Sequence, residues 1–180
     1  MVYVLLGTGF EETEAVAPVD LMRRAGIQVQ TVGISGKVVR GSHNIPVEAD
    51  ILLEDLDQSE LEMIVLPGGL KGVQTARQCP AALNALKTAW KNNKLVAAIC
   101  AGPTVLADLG ITDHKKATCY PGCESGMGAA EMVPDAACVR DGNLITGTSA
   151  GCAVPFALAL IAALRGDEAA RTVADQIVIR

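Results

Sequence analysis

Three short apolar runs constrain this chain more than any other feature. Each ends in small residues and each is followed by a segment of helical spacing. VYVLL (2–6) runs into Gly7, EMIVLPGG (62–69) ends in a Gly pair, and LVAAIC (95–100) runs into Ala101 and Gly102. Runs that are continuously apolar, rather than alternating, belong to strands buried on both faces, the condition of a parallel sheet covered by helices. The intervening segments fit that plan. EETEAVAPVDLMRRAG (11–26) has its acids early, its Arg pair late and Gly26 as a stop, the charge order a helix dipole favours. Residues 71–78, 80–93, 151–165 and 167–176 read as further helices, and GPTVLADLG (102–110) opens another. IQVQTVGI (27–34) alternates as a strand, and KATCYPG (116–122) reads as a short one. KVVRGSHNIPVEAD (37–50) and ACVRDGNLITGTS (137–149) read as hairpins, the second with Asp-Gly at its turn. With 180 residues and no repeat, linker or low-complexity tract, a single domain over 1–180 is expected.

Composition narrows the partners. Half of the residues are apolar but only two Phe, two Tyr and one Trp occur, so the core is aliphatic. A net charge of −5 with no basic run points away from nucleic acid and from anionic membrane surfaces. Residues 143–164 carry no charge, yet their dense apolar part (152–164) falls short of the roughly 20 residues a span requires. A buried strand followed by a core helix is expected there. The N-terminus lacks a basic region and reaches acids early, unlike a signal peptide. The six scattered Cys read as mostly free thiols of a cytoplasmic protein.

Open parallel sheets gather their chemistry at the carboxyl ends of the strands. That places 7–14, 67–70, 100–103, Tyr120 and 147–151 around one crevice. Cys100 sits at a strand-to-helix junction, where free N–H groups favour a thiolate; the alternative is a buried structural Cys. Gly147-Thr148-Ser149-Ala150-Gly151 matches G-x-S-x-G, but both His residues, His43 and His114, precede Ser149, against the hydrolase chain order. A glycine-rich turn is the expectation. Glu11, Glu12 and Glu14 fall in the first turn of a helix. They either compensate its dipole or turn one carboxyl into the crevice, where burial would raise its pKa and let it pass protons. Cys119 and Cys123 have no zinc-like partners. Pro67-Gly68-Gly69 lacks the lysine of a phosphate loop and reads as a turn presenting backbone N–H groups. His43, at a hairpin tip, is expected to be solvated.

GFEETEAVAPVDLMRRAGI (9–27), IVLPGG (64–69), AAICAGPTVLA (97–107) and FALALIAAL (156–164) together resemble the ThiJ/PfpI superfamily, in the branch of the Parkinson-associated protein deglycase. The resemblance implies a flavodoxin-like three-layer α/β/α sandwich with a mostly parallel sheet, and a homodimer. It maps a nucleophile onto Cys100, its acid/base partner onto Glu14 and an anion pocket onto the N–H groups of Gly69 and Ala101. Gly68 and Tyr120 would then lie at the substrate. It implies activity, without cofactor or metal, on reactive dicarbonyls such as methylglyoxal or on their early glycation adducts. The alternative it carries is a redox-sensing, stress-protective or chaperone protein whose Cys is oxidised to a sulfinate. Two departures are visible. The protease branch has His directly after its Cys, and Ala101 stands there here, so peptidase activity is not expected. Some relatives carry His where this chain has Tyr120; a phenol is a poor base near pH 7, which leaves proton transfer to Glu14.

Overall fold

The computed structural model describes residues 1–179. Its strands are β1 (Val2–Leu6), β2 (Val29–Gly33), β3 (Val38–Arg40), β4 (Pro46–Glu48), β5 (Ile51–Leu52), β6 (Met63–Leu66), β7 (Leu95–Ile99), β8 (Lys116–Ala117), β9 (Glu131–Met132), β10 (Cys138–Asp141) and β11 (Leu144–Gly147). Its helices are α1 (Glu12–Arg24), α2 (Leu70–Arg77), α3 (Pro80–Lys91), α4 (Pro103–Asp108), α5 (Ala153–Arg165) and α6 (Asp167–Gln176). Seven strands form one sheet in the order β10-β11-β7-β6-β1-β2-β5. Every pairing in it is parallel except β10 with β11.

Alternation along the central strands makes two cores. Val2, Val4, Leu6, Met63, Val65, Ala97 and Ile99 face one side and meet Met22 of α1 and Phe156, Leu160 and Ile161 of α5. Tyr3, Leu5, Ile64, Leu66, Val96 and Ala98 face the other and meet Val73, Ala76, Leu86, Val105 and Leu106 of α2, α3 and α4. The result is the expected flavodoxin-like three-layer sandwich, with strands too apolar to tolerate water on either face. From β1 the chain winds outward through β2 on one side; from β6 it winds outward through β7 on the other. The carboxyl ends of β1 and β6 therefore flank a switch in winding direction, where crevices form in such sheets.

The apolar runs, both hairpins and the main helices form within a few residues of their expected bounds. The 116–122 strand shrinks to Lys116–Ala117, because the chain turns at Tyr120, whose N–H donates to Cys100. The helix expected from residue 102 starts at Pro103 and lasts one and a half turns. No helix among the described residues is long and apolar enough to cross a membrane.

Candidate active site

The turn after β7 puts Cys100 in the left-handed region, with φ +65°. For a residue with a side chain this costs roughly 1–3 kcal/mol and persists only where neighbours enforce it. They do so here: the Cys100 N–H donates to the Gly147 carbonyl at 2.9 Å, and its carbonyl accepts from Tyr120 N–H at 2.8 Å. The sulfur is thus turned out of the strand and towards the loop after β6.

Glu14 meets it from α1. The side chain of Glu11 caps that helix by accepting from Glu14 N–H at 2.8 Å. Glu14 itself is fully buried, 0 % exposed. Its Oε2 accepts from Gly68 N–H at 2.8 Å, and its Oε1 has no partner. Gly68 is the spacer. A side-chain carbon there would sit 2.5 Å from Glu14 Oε2, 2.7 Å from Cys100 Cβ and 3.1 Å from Sγ. Only glycine lets the carboxyl and the thiol share this space. Gly69, with φ +87°, turns the chain against Gly9 and Glu11, where any side chain would collide with backbone.

Burial raises the Glu14 carboxyl to about 7, outweighing the opposing interactions with Cys100 and the Gly68 N–H. Burial, followed by the charge of Glu14, pushes the Cys100 thiol up to about 12, while the N–H groups of Ala101 and Gly69 pull the other way. This reverses the expectation of a thiolate favoured by a helix N-terminus: α4 begins three residues beyond Cys100, and burial beside a carboxylate outweighs the amides. The groups are coupled, and a proton on Glu14 removes the charge that opposes the thiolate. Neither the Gly69 nor the Ala101 N–H donates to another backbone group.

Cys100, Gly69, Ala101 and Tyr120 open together on a cavity of about 410 Å³, completed by Gly9, Glu11, Ser42, Leu70, Lys71 and Cys123. Tyr120 is half exposed at its mouth. Two expectations shift. Gly68 does not line the cavity; its N–H is spent on Glu14, so it positions the acid. The 147–151 turn supplies the Gly147 carbonyl behind Cys100, and the Ser149 hydroxyl has Cys152 Sγ as its partner at 3.8 Å, not a His. Ser42, Lys71 and Cys123 carried no signal in sequence, since each comes from a loop or helix edge that only the tertiary fold brings to the crevice.

Beside the cavity, Glu12 is buried under the β3–β4 hairpin and accepts from His43 N–H at 2.7 Å, from Ser42 Oγ at 3.0 Å and contacts His43 Nδ1 at 3.0 Å. His43 is exposed, as expected of a hairpin tip, and is also tied to Glu12. Burial raises the Glu12 carboxyl, but these hydrogen bonds more than offset it and hold it at about 2. Glu11, Glu12 and His43 bring ligand atoms within 4.8 Å of one another. Their hydrogen bonds to the hairpin and the helix account for that convergence.

A strained cysteine at a strand-to-helix turn, a buried carboxyl across a bare glycine and two amides directed at the sulfur define a class: an α/β sandwich built around a cysteine–carboxyl pair. The chain belongs to the DJ-1/PfpI family, whose model matches residues 1–163. It is 39% identical over 181 residues to the Parkinson disease protein 7 homolog of Danio rerio, covering 98% of this chain and 96% of that one. It is 33% identical over 160 residues to the glutathione-independent glyoxalase DJR-1.2 of Caenorhabditis elegans, covering 88% and 84%. The crystal structure of Drosophila melanogaster DJ-1beta superposes with a TM-score of 0.94 at 34% identity, over 99% of this chain and 97% of that one.

Proposed function

We propose that this protein is a cofactor-independent glyoxalase for 2-oxoaldehydes such as methylglyoxal, with Cys100 as nucleophile and Glu14 as acid/base. The observation that carries it is Glu14: a fully buried carboxyl with an unpartnered oxygen, held across Gly68 from a thiol that opens on a cavity. A relative named as a glutathione-independent glyoxalase supports the substrate class.

Glu14 takes the thiol proton, and Cys100 sulfur attacks the aldehyde carbon. The oxyanion lies against the N–H groups of Gly69 and Ala101 and takes the proton back from Glu14, giving a hemithioacetal and a Glu14 carboxylate. Glu14 then removes the proton from that carbon and returns one to the neighbouring carbon, so the aldehyde is oxidised to a thioester as the ketone is reduced to an alcohol. Water releases the hydroxy acid and restores the thiol. Tyr120, at the mouth, orients the substrate. The same attack applies to early adducts of dicarbonyls with amines or thiols, which are in equilibrium with the free aldehyde. A homodimer covering the exposed Val16, Val38 and Ile45 belongs to the same proposal.

The test is lactate formation from methylglyoxal in deuterated water. Solvent deuterium at the lactate carbon bearing the hydroxyl, abolished by Cys100→Ser and severely reduced by Glu14→Gln, is the expected result. Undiminished turnover in both variants would remove the mechanism.

A further inference from the structure

The cavity in front of Cys100 holds a second thiol. Cys123 lines it, and also lines the adjoining groove formed with Arg77, Thr104 and Ser125. Its turn is fastened to the backbone of Cys100 itself. Tyr120 N–H donates to the Cys100 carbonyl at 2.8 Å, and Cys123 N–H donates to the Tyr120 carbonyl at 2.9 Å. The outer side of this turn is free: Gly122 has φ +94°, and a side-chain carbon there would meet nothing within 4 Å. Cys119 lies on the inner side. It is buried, with Sγ 3.5 Å from the Tyr120 carbonyl, and it does not line the cavity. Among the described residues, Cys123 is the thiol besides Cys100 that opens on this space.

We propose that Cys123 is the resolving thiol of Cys100, so that a hydroperoxide entering the cavity is reduced there and the two sulfurs end as a disulfide. The proposal rests on the reading of Cys100 as a nucleophile. Cys100 thiolate attacks one peroxide oxygen, the O–O bond breaks, and the other oxygen leaves as alcohol or water after taking a proton. Cys100 is left as a sulfenic acid. Cys123 sulfur then attacks Cys100 sulfur, the S–O bond breaks, and the hydroxyl leaves as water with the Cys123 proton. The two sulfurs have supplied the two electrons that reduced the peroxide. A dithiol reductant returns both to thiols.

The consequence is protection. A sulfinate forms only when a second peroxide oxidises the sulfenic acid, a step that disulfide formation pre-empts. A disulfide needs Cα atoms roughly 4.4–6.8 Å apart, and Tyr120, Pro121 and Gly122, the residues of the turn leading to Cys123, are exposed.

The experiment treats wild type, Cys123→Ser and Cys119→Ser with hydrogen peroxide near stoichiometry, blocks remaining thiols with iodoacetamide, and maps the peptides by mass spectrometry. Wild type and Cys119→Ser should give a Cys100–Cys123 linked peptide that dithiothreitol removes, with little sulfinate. Cys123→Ser should lose the link and accumulate Cys100 sulfinate several-fold faster. The wild-type map carries the assignment even if a variant folds poorly. Equal sulfinate in wild type and Cys123→Ser with no link would overturn the proposal, as would a link to Cys119 instead. A Cys100 inert to both peroxide and iodoacetamide would overturn it together with the nucleophile reading.

Discussion

Glu12 and Glu14 sit two residues apart in the first turn of one helix, yet one is held at about 2 and the other pushed to about 7. Burial acts upward on both. What separates them is the supply of donors. Glu12 faces the β3–β4 hairpin, where two groups of His43 and the Ser42 hydroxyl satisfy its charge. Glu14 faces inward, receives one N–H from Gly68, and otherwise lies beside the Cys100 thiol. The same residue type in the same turn becomes a hydrogen-bonded latch on one side and a buried carboxyl with a raised pKa on the other. A carboxyl becomes useful for chemistry when the fold buries it and then withholds hydrogen bonds.

The contrast can be broken first at the thiol. Cys100→Ser should lower lactate formation by at least about 10³-fold, measured against methylglyoxal, while leaving the Glu12 latch and its acid stability untouched. Glu14→Gln should lower the same rate by about 10² to 10⁴-fold. It should also alter stability with a definite sign. A carboxyl raised in the folded state stabilises most when protonated, below the unfolded value near 4.5, and that contribution is lost as pH rises through about 7. Chemical denaturation should therefore show wild type losing up to about 3 kcal/mol relative to Glu14→Gln between about pH 4 and pH 8.

Glycine spacers sharpen the contrast next. Gly68→Ala places a carbon between Glu14 and Cys100 and should cost about 10²-fold in turnover. Gly41→Ala places one 2.3 Å from the Glu12 carboxyl, so it should destabilise the protein and change turnover far less. The smallest effect belongs to Glu12→Gln, expected to cost about 1–2 kcal/mol at pH 7 with turnover changed only a few-fold. Here the sign is opposite to that of Glu14. The stabilisation from a depressed carboxyl is present above the unfolded value near 4.5 and lost as pH falls through about 2. Urea titrations of wild type and variant should converge on that acid side.

Much of this was legible before any coordinates. The apolar runs at 2–6, 62–69 and 95–100 announce buried parallel strands, because few other structures hide both faces of so short a segment. The resemblance carried by their motifs singles out Glu14, Cys100, Gly69 and Ala101, and the fold brings these residues together. Burial was the part that sequence withheld. Spacing identifies three acids in one turn, but the direction of Glu12 towards Ser42 and His43 and that of Glu14 towards Cys100 follow from where the hairpin and the Gly68 loop lie. The thiol pKa failed for the same reason: a helix N-terminus can be inferred locally, whereas the desolvation that outweighs it depends on the whole fold. The two-residue strands β5 and β9 carry no periodicity at all, and Ser42, Lys71 and Cys123 reach the cavity from places where surface residues are the norm.

The coupling of Cys100 to Glu14 is tested most directly by the alkylation rate of Cys100 against pH, measured with iodoacetamide and peptide mapping in wild type and Glu14→Gln. A pair that shares a proton should give wild type an inflection near pH 7, where the first proton leaves the pair, and a further rise only at high pH. Glu14→Gln should lose the inflection near 7 and titrate in one displaced step. Superimposable profiles for the two proteins would contradict the pairing and leave Cys100 as a buried thiol with a carboxyl merely nearby.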